Sequence, residues 1–121
     1  MPRTLLDEQH LHPAIREFVA SYQSGVIAEV QAAILAHAVL VVGMKGNPVC
    51  KRARKLLNDA GVAHQYVEYG GYLSQWRVRN ALKLWTGWPT FPMVFVRGVL
   101  VGGADDLAKL ISNGELRGLL G

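Results

Sequence analysis

An α/β domain built on a small mixed sheet is the fold class this sequence predicts, and three observations predict it. Short runs with strand character (Ala38 to Val42, His64 to Glu68, Met93 to Val96, Val99 to Val101) alternate with stretches of helical periodicity. From Val26 the order reads helix, strand, helix, strand, helix, strand, strand, helix, which suits four strands flanked by helices on both faces. With 121 residues, half of them apolar, the chain can fill one real core but not two.

The elements follow in order. Residues 1 to 11 read as a polar arm, and Ile15, Phe18, Val19 and Tyr22 give an amphipathic helix from His12 or Pro13 to about Tyr22. Ser24-Gly25 is expected to break the chain, so residues 1–25 form an extension and 26–121 the domain. Val26, Ile27, Val30, Ala33 and Ile34 mark the next helix, and Ala38 to Val42 a buried strand ended by Met44-Lys45-Gly46. Asn47 is a good N-cap, Pro48 fits the first helical position and Gly61 closes the helix whose inner face is Cys50, Ala53, Leu56, Leu57 and Ala60. A strand from His64 to Glu68 leads through Gly70-Gly71 into a helix from Leu73 to Trp85, with Trp76, Leu82 and Trp85 available for burial. Arg97-Gly98 reads as a hairpin turn, and Asp105 as the cap of a last helical region interrupted near Asn113-Gly114.

Composition narrows the function. A single cysteine forbids an internal disulfide framework, and no uninterrupted run of about eighteen apolar residues is present. Met1-Pro2-Arg3-Thr4 is not followed by a signal-type apolar stretch, so a soluble, cytoplasmic protein is expected, monomeric or weakly dimeric and without a membrane partner. Thirteen Lys/Arg against nine Asp/Glu give a net charge of +4, concentrated at Lys45, Lys51, Arg52, Arg54 and Lys55 and again at Arg77, Arg79 and Lys83. Most of these side chains read as a solvated helix face, with a small anionic ligand explaining a few; aromatic residues do not alternate with the charges, which argues against nucleic acid. His10, His12, His37 and His64 have no metal spacing with Cys50, no Ser-His-Asp arrangement is visible, and Gly43 to Pro48 lacks the Lys-Ser/Thr of a phosphate loop.

The chemistry-bearing segment is Asn47-Pro48-Val49-Cys50, between the Ala38 to Val42 strand and a basic helix. Three further pieces join it: Met44-Lys45-Gly46; Cys50-Lys51-Arg52-Ala53-Arg54-Lys55-Leu56-Leu57; and Leu82-Lys83 with Trp88-Pro89-Thr90-Phe91-Pro92, Val101-Gly102-Gly103-Ala104-Asp105 and Asn113-Gly114-Glu115-Leu116. Together they resemble the glutaredoxins, closest to the monothiol type, over residues 26–121. The resemblance implies a thioredoxin-like fold, a cis peptide before Pro92, and a glutathione site. In that site Thr90, Phe91 and Pro92 border the cysteinyl part, Lys45 and Lys83 face the glycyl carboxylate, and Gly103, Ala104 and Asp105 hold the γ-glutamyl end.

The departure from the family lies at Asn47. Counted back from Gly61-Val62 without a gap, Asn47 stands where the family has its nucleophilic cysteine and Cys50 where it has the resolving one. A second register equates Pro48-Val49-Cys50 with Pro-x-Cys and makes Cys50 the nucleophile. Ala53, Leu56 and Leu57 keep the family's apolar spacing only in the first. Asparagine preserves the cap but cannot attack a disulfide, and a Cys50 turned inward would favour its neutral thiol. The resemblance thus implies glutathione-linked thiol-disulfide redox function, with any catalysis resting on Cys50. The alternative is a non-catalytic module that binds glutathione or a glutathionylated partner. Resemblance to monothiol members also implies a [2Fe-2S] cluster shared between subunits, against which stands the missing cysteine at 47.

Overall fold

The structure is a computed structural model that describes residues 3–121; Met1 and Pro2 of the expected polar arm lie outside the described residues. Its elements are α1 (Pro13–Ser21), α2 (Ser24–Ala36), β1 (Val39–Gly43), α3 (Pro48–Asp59), β2 (Gln65–Glu68), α4 (Trp76–Thr86), β3 (Met93–Val96), β4 (Val99–Gly102), α5 (Ala104–Ser112) and α6 (Glu115–Leu120), preceded by a 3₁₀ turn at Glu8–His10. The sheet order is β2-β1-β3-β4, with β1 and β2 parallel and the other pairs antiparallel.

Alternation along β1 and β3 divides the core in two, because successive strand side chains point to opposite faces. Leu40, Val42, Met93 and Phe95 pack with Val26 and Val30 of α2 and Leu82 of α4. Val39, Val41, Val94 and Val96 pack instead with Ala53 and Leu57 of α3 and with Ala104, Leu107 and Leu116 of α5 and α6. Each fully buried leucine among them contributes about 1.5–3 kcal/mol of apolar transfer. Arg97 and Gly98, both at positive φ (51° and 81°), form the two-residue turn between β3 and β4, as hairpin twist requires.

Several expected boundaries move. Ser24 and Gly25 lie inside α2; the break falls at Gln23, whose left-handed backbone (φ 52°) separates the two helices. The stretch Pro13–Ala36, which a count of uninterrupted apolar residues passes over, is long and apolar enough by composition to cross a membrane. Here that stretch is two helices, and Val26 and Val30 are committed to the sheet. Helix α4 starts at Trp76 rather than Leu73, after a left-handed Gln75, which leaves Trp76 in the first turn and 55% exposed rather than in the core. Arg77 lies over its indole instead, 5.2 Å from the ring centroid.

Asp105 is not the cap of α5. Gly103 holds the N-cap position, and it is Asp106 whose Oδ2 accepts the Gly103 N–H at 3.0 Å. At Gly102 (φ 116°) an added Cβ would collide with the Asp106 carboxylate, so the glycine admits the cap.

The N-terminal extension is tied down mainly by polar contacts. Arg3 donates to the carbonyls of Thr86 (2.9 Å) and Trp85 (3.4 Å) at the end of α4, where a cation complements the helix dipole. Arg16 donates to Glu8 and Leu11 carbonyls within the arm. Helix α1 has no buried residue, and Phe18 is 66% exposed, so Ile15, Phe18 and Tyr22 pack only slightly on the domain.

The start of α3 is the best capped helix end next to the sheet. Asn47 Oδ1 accepts N–H bonds from Val49 (2.8 Å) and Cys50 (3.1 Å), and Pro48 occupies the first turn. Replacing Asn47 by alanine is expected to cost about 1 kcal/mol in urea unfolding, whereas aspartate, which caps as well and suits the dipole, restores it. No difference between the alanine variant and wild type would contradict this role.

Candidate functional site

The site gathers at the C-terminal end of β1, the usual location for ligands in open α/β sheets. Met44 leaves the strand, the backbone turns through Lys45 and Gly46, and Asn47 opens α3. Opposite stand α4 and the segment leading to β3, where the Phe91-Pro92 peptide is cis, as the resemblance implies. Between them runs an open groove of about 520 Å³ lined by Met44, Asn47, Val49, Tyr72, Arg79, Lys83 and Pro89 to Phe91. That size suits a small ligand.

The structure brings some expected residues together and separates others. Asn47, Lys83, Thr90 and Phe91 share the groove, and the Lys83 ammonium lies 5.8 Å from the Phe91 ring centroid. Lys45 is exposed at the adjoining turn, its N–H donating to the Gly70 carbonyl at 2.6 Å. Pro92 is buried behind the groove wall. Gly103, Ala104 and Asp105 lie past Pro92 at the start of α5; a Cβ on Gly103 would stand 3.6 Å from the Pro92 carbonyl oxygen and 3.9 Å from Trp88 Nε1. The Gly103 amide donates to the Asp106 carboxylate. Asp105 is held by Arg52, with Nη1 and Oδ1 2.6 Å apart.

Arg79 is the site residue that sequence reasoning missed. Its side chain is 7% exposed and Nη1 donates to the carbonyls of Tyr69 (2.9 Å) and Ser74 (2.5 Å), bracing the loop that closes one end of the groove. The signal was present: Arg79 and Lys83 are four apart and so share one face of α4, which places two cations along one wall.

Cys50 does not line the groove. Its residue is 1% exposed and packs with Val42, Met44, Leu82 and Phe91. Gly43 makes that place available, because an added Cβ there would stand 3.1 Å from Cys50 Sγ and 2.7 Å from the Tyr66 ring. Burial pushes the thiol pKa up, the Met44 main chain opposes it, and the Glu68 carboxylate adds to the rise. Tyr66, whose hydroxyl donates to Glu68 at 2.9 Å and whose ring lies beneath Arg54, is likewise pushed up by burial. The helix-start amides that would stabilise a thiolate at position 47 are satisfied by the asparagine carboxamide instead.

The raised thiol pKa has a signed consequence for stability. Below about pH 8.5 the thiol is neutral in folded and unfolded chains, and the contribution is fully present. As the pH rises further the unfolded thiol ionises first, so stability falls until the folded thiol ionises too. Urea unfolding near pH 8 and pH 10 should show wild type losing more stability than Cys50→Ala, by up to about 1.4 kcal/mol per pH unit. Equal losses would contradict the assignment.

Comparison with known proteins agrees with this fold. The Glutaredoxin family model matches residues 39–101. The chain is 45% identical over 102 residues to a glutaredoxin-like protein of Dictyostelium discoideum, covering 84% of this chain and 83% of that one. With monothiol glutaredoxin-4 of Schizosaccharomyces pombe it shares 38% over 89 residues, which is 70% of this chain and 36% of that protein, so it spans about a third of that relative. The crystal structure of oxidized glutaredoxin 2 from Chlamydomonas reinhardtii superposes with a TM-score of 0.70 at 32% identity, covering 81% of this chain and 92% of that one. By sequence match and by a four-stranded mixed sheet flanked by helices, this chain belongs to the glutaredoxin family.

Proposed function

We propose that the chain binds glutathione, or the glutathionyl part of a modified protein, in the groove between Met44 and Phe91 without covalent turnover at Cys50. One observation carries this reading: the groove has cationic and apolar walls while Cys50, 1% exposed, lies behind it and a capping asparagine holds the exposed helix start. Arg79 and Lys83 supply positive charge for the glycyl carboxylate, and the Phe91 segment flanks the cysteinyl part. Lys83 is half-buried and Arg79 buried at the groove wall, and the groove is open to solvent, so their attraction for a carboxylate is partly screened by salt and binding weakens as ionic strength rises.

The residues do not fit a [2Fe-2S] cluster. Asn47 offers no sulfur, and Cys50, 1% exposed, presents none to the groove.

A second reading keeps Cys50 as the lone redox thiol, since it lies in the first turn of α3, where the Met44 main chain favours its ionised form. A glutathione-mixed-disulfide reduction assay on wild type, Cys50→Ser and Asn47→Cys separates the two. Binding without turnover predicts no difference between wild type and Cys50→Ser in rate or glutathione affinity, and turnover gained by Asn47→Cys, whose thiol would stand at the exposed helix start. Lys83→Ala should weaken binding by about fivefold or less. Wild-type turnover that Cys50→Ser abolishes would overturn the proposal in favour of the second reading; no detectable glutathione binding would sink both.

A further inference from the structure

Helix α1 buries none of its apolar residues, yet it gathers them beside α4. Phe18 and Tyr22 pair with ring centroids 5.5 Å apart, and with Val19 they form one wall of an open hollow of about 550 Å³ whose other wall is α4. On α4 the spacing i, i+3, i+7 puts Arg77, Asn80 and Leu84 on one stripe, which faces that hollow. Arg79 and Lys83 occupy the neighbouring stripe, which lines the groove between Met44 and Phe91. A third depression, over Asn80, Leu84, Lys83 and Pro89, shares residues with both and makes the face continuous. Phe18 is 66% exposed and Leu84 73%, and uncovered apolar side chains gathered at one place mark an interaction surface. The charge along this face has one sign. Its cations are Arg77, Arg79 and Lys83, none of them in an ion pair among the described residues, and no Asp or Glu lines any of the three depressions. An isologous contact with a second copy would set like charges face to face, and a flat lipid surface would leave the hollow unfilled.

We propose that the face between α1 and α4 docks the protein that carries the glutathionyl group, through an acidic segment with a bulky apolar residue close to the modified cysteine. This rests on the glutathione-binding reading and names the kind of partner that reading leaves open. The glutathionyl group lies in the groove and the partner's chain leaves it across Lys83. Its apolar side chain enters the hollow between the Phe18–Tyr22 pair and Leu84, and a carboxylate meets Arg77. Arg77 and Lys83 stand about 9 Å apart along α4 at 1.5 Å per residue, which about three residues of extended chain span, so the recognised segment is short. Stacking on the Trp76 indole, 5.2 Å from the ring centroid, holds the Arg77 guanidinium in place and spares part of the cost of ordering it. Free glutathione uses none of these contacts, so they favour the modified protein over the free tripeptide.

The test is calorimetric titration of full-length wild type, Arg77→Glu and Phe18→Ser with S-methylglutathione and with two conjugates. Each conjugate joins glutathione through a thioether, which cannot exchange with Cys50, to a short peptide holding a phenylalanine and either aspartates or lysines. Wild type should bind the aspartate conjugate about tenfold tighter than S-methylglutathione, and the lysine conjugate no tighter than it. Arg77→Glu should lose the preference for aspartate over lysine, and Phe18→Ser should bring the aspartate conjugate close to S-methylglutathione. Both variants should bind S-methylglutathione as wild type does, since neither residue lines the groove. Equal binding of the two conjugates by wild type, with S-methylglutathione still bound, would overturn the docking face and leave the glutathione reading standing. Phe18-dependent binding to phosphatidylserine–phosphatidylcholine vesicles, or a Phe18-dependent dimer in sedimentation, in place of the aspartate preference would overturn it in favour of a lipid surface or a second copy. Failure of wild type to bind S-methylglutathione would overturn the glutathione reading and this inference with it.

Discussion

The first turn of α3 governs the rest of the site. Its amides at Val49 and Cys50 converge on one acceptor, and in this chain that acceptor is the Asn47 carboxamide oxygen. Because the helix is fixed there, Cys50 is directed under β1, where Gly43 leaves room for its sulfur beside the Tyr66 ring. Ala53 and Leu57 follow on the same face and lock α3 against the sheet. Cap, burial of the thiol and the position of the groove wall are thus one structural fact rather than three.

This arrangement separates binding from bond making. On the proposed reading, capture of a small peptide rests on charge and shape, from Arg79 and Lys83 on α4 and the Phe91 segment opposite α3. Thiol exchange needs in addition an accessible thiolate, and a positive helix end lowers a pKa only for a sulfur it faces in the open. Here desolvation outweighs the favourable Met44 main chain, and the Glu68 charge adds to it.

Much of the fold was legible because local and long-range signals agree. Asn47-Pro48 at a helix start, Gly61 at its end (φ 68°) and Arg97-Gly98 in a two-residue turn each have a conformational reason visible in the residue type. The strand-helix order and the inner face of α3 followed from periodicity. What could not be read were helix starts set by residues without the usual chemistry, Gln23 and Gln75 in left-handed conformations, which shifted α2 and α4. At the site, Asn47, Lys83, Thr90 and Phe91 were found through motif, whereas Arg79 was hidden among surface charges because its burial depends on carbonyls at Tyr69 and Ser74, contributed by a loop whose path the sequence does not specify. The exchange of capping roles between Asp105 and Asp106 was hidden for the same reason, since it turns on the backbone at Gly102.

The central claim is that this glutaredoxin-family groove holds its ligand without forming a bond to sulfur. Intact-mass measurement after incubating the native protein with glutathione disulfide tests it directly, with a urea-unfolded sample as the reactive control. The account predicts an unmodified native chain and a glutathionylated unfolded one, because Cys50 is 1% exposed only when folded. A glutathionyl adduct on the native chain, formed as fast as on the unfolded one, would contradict it.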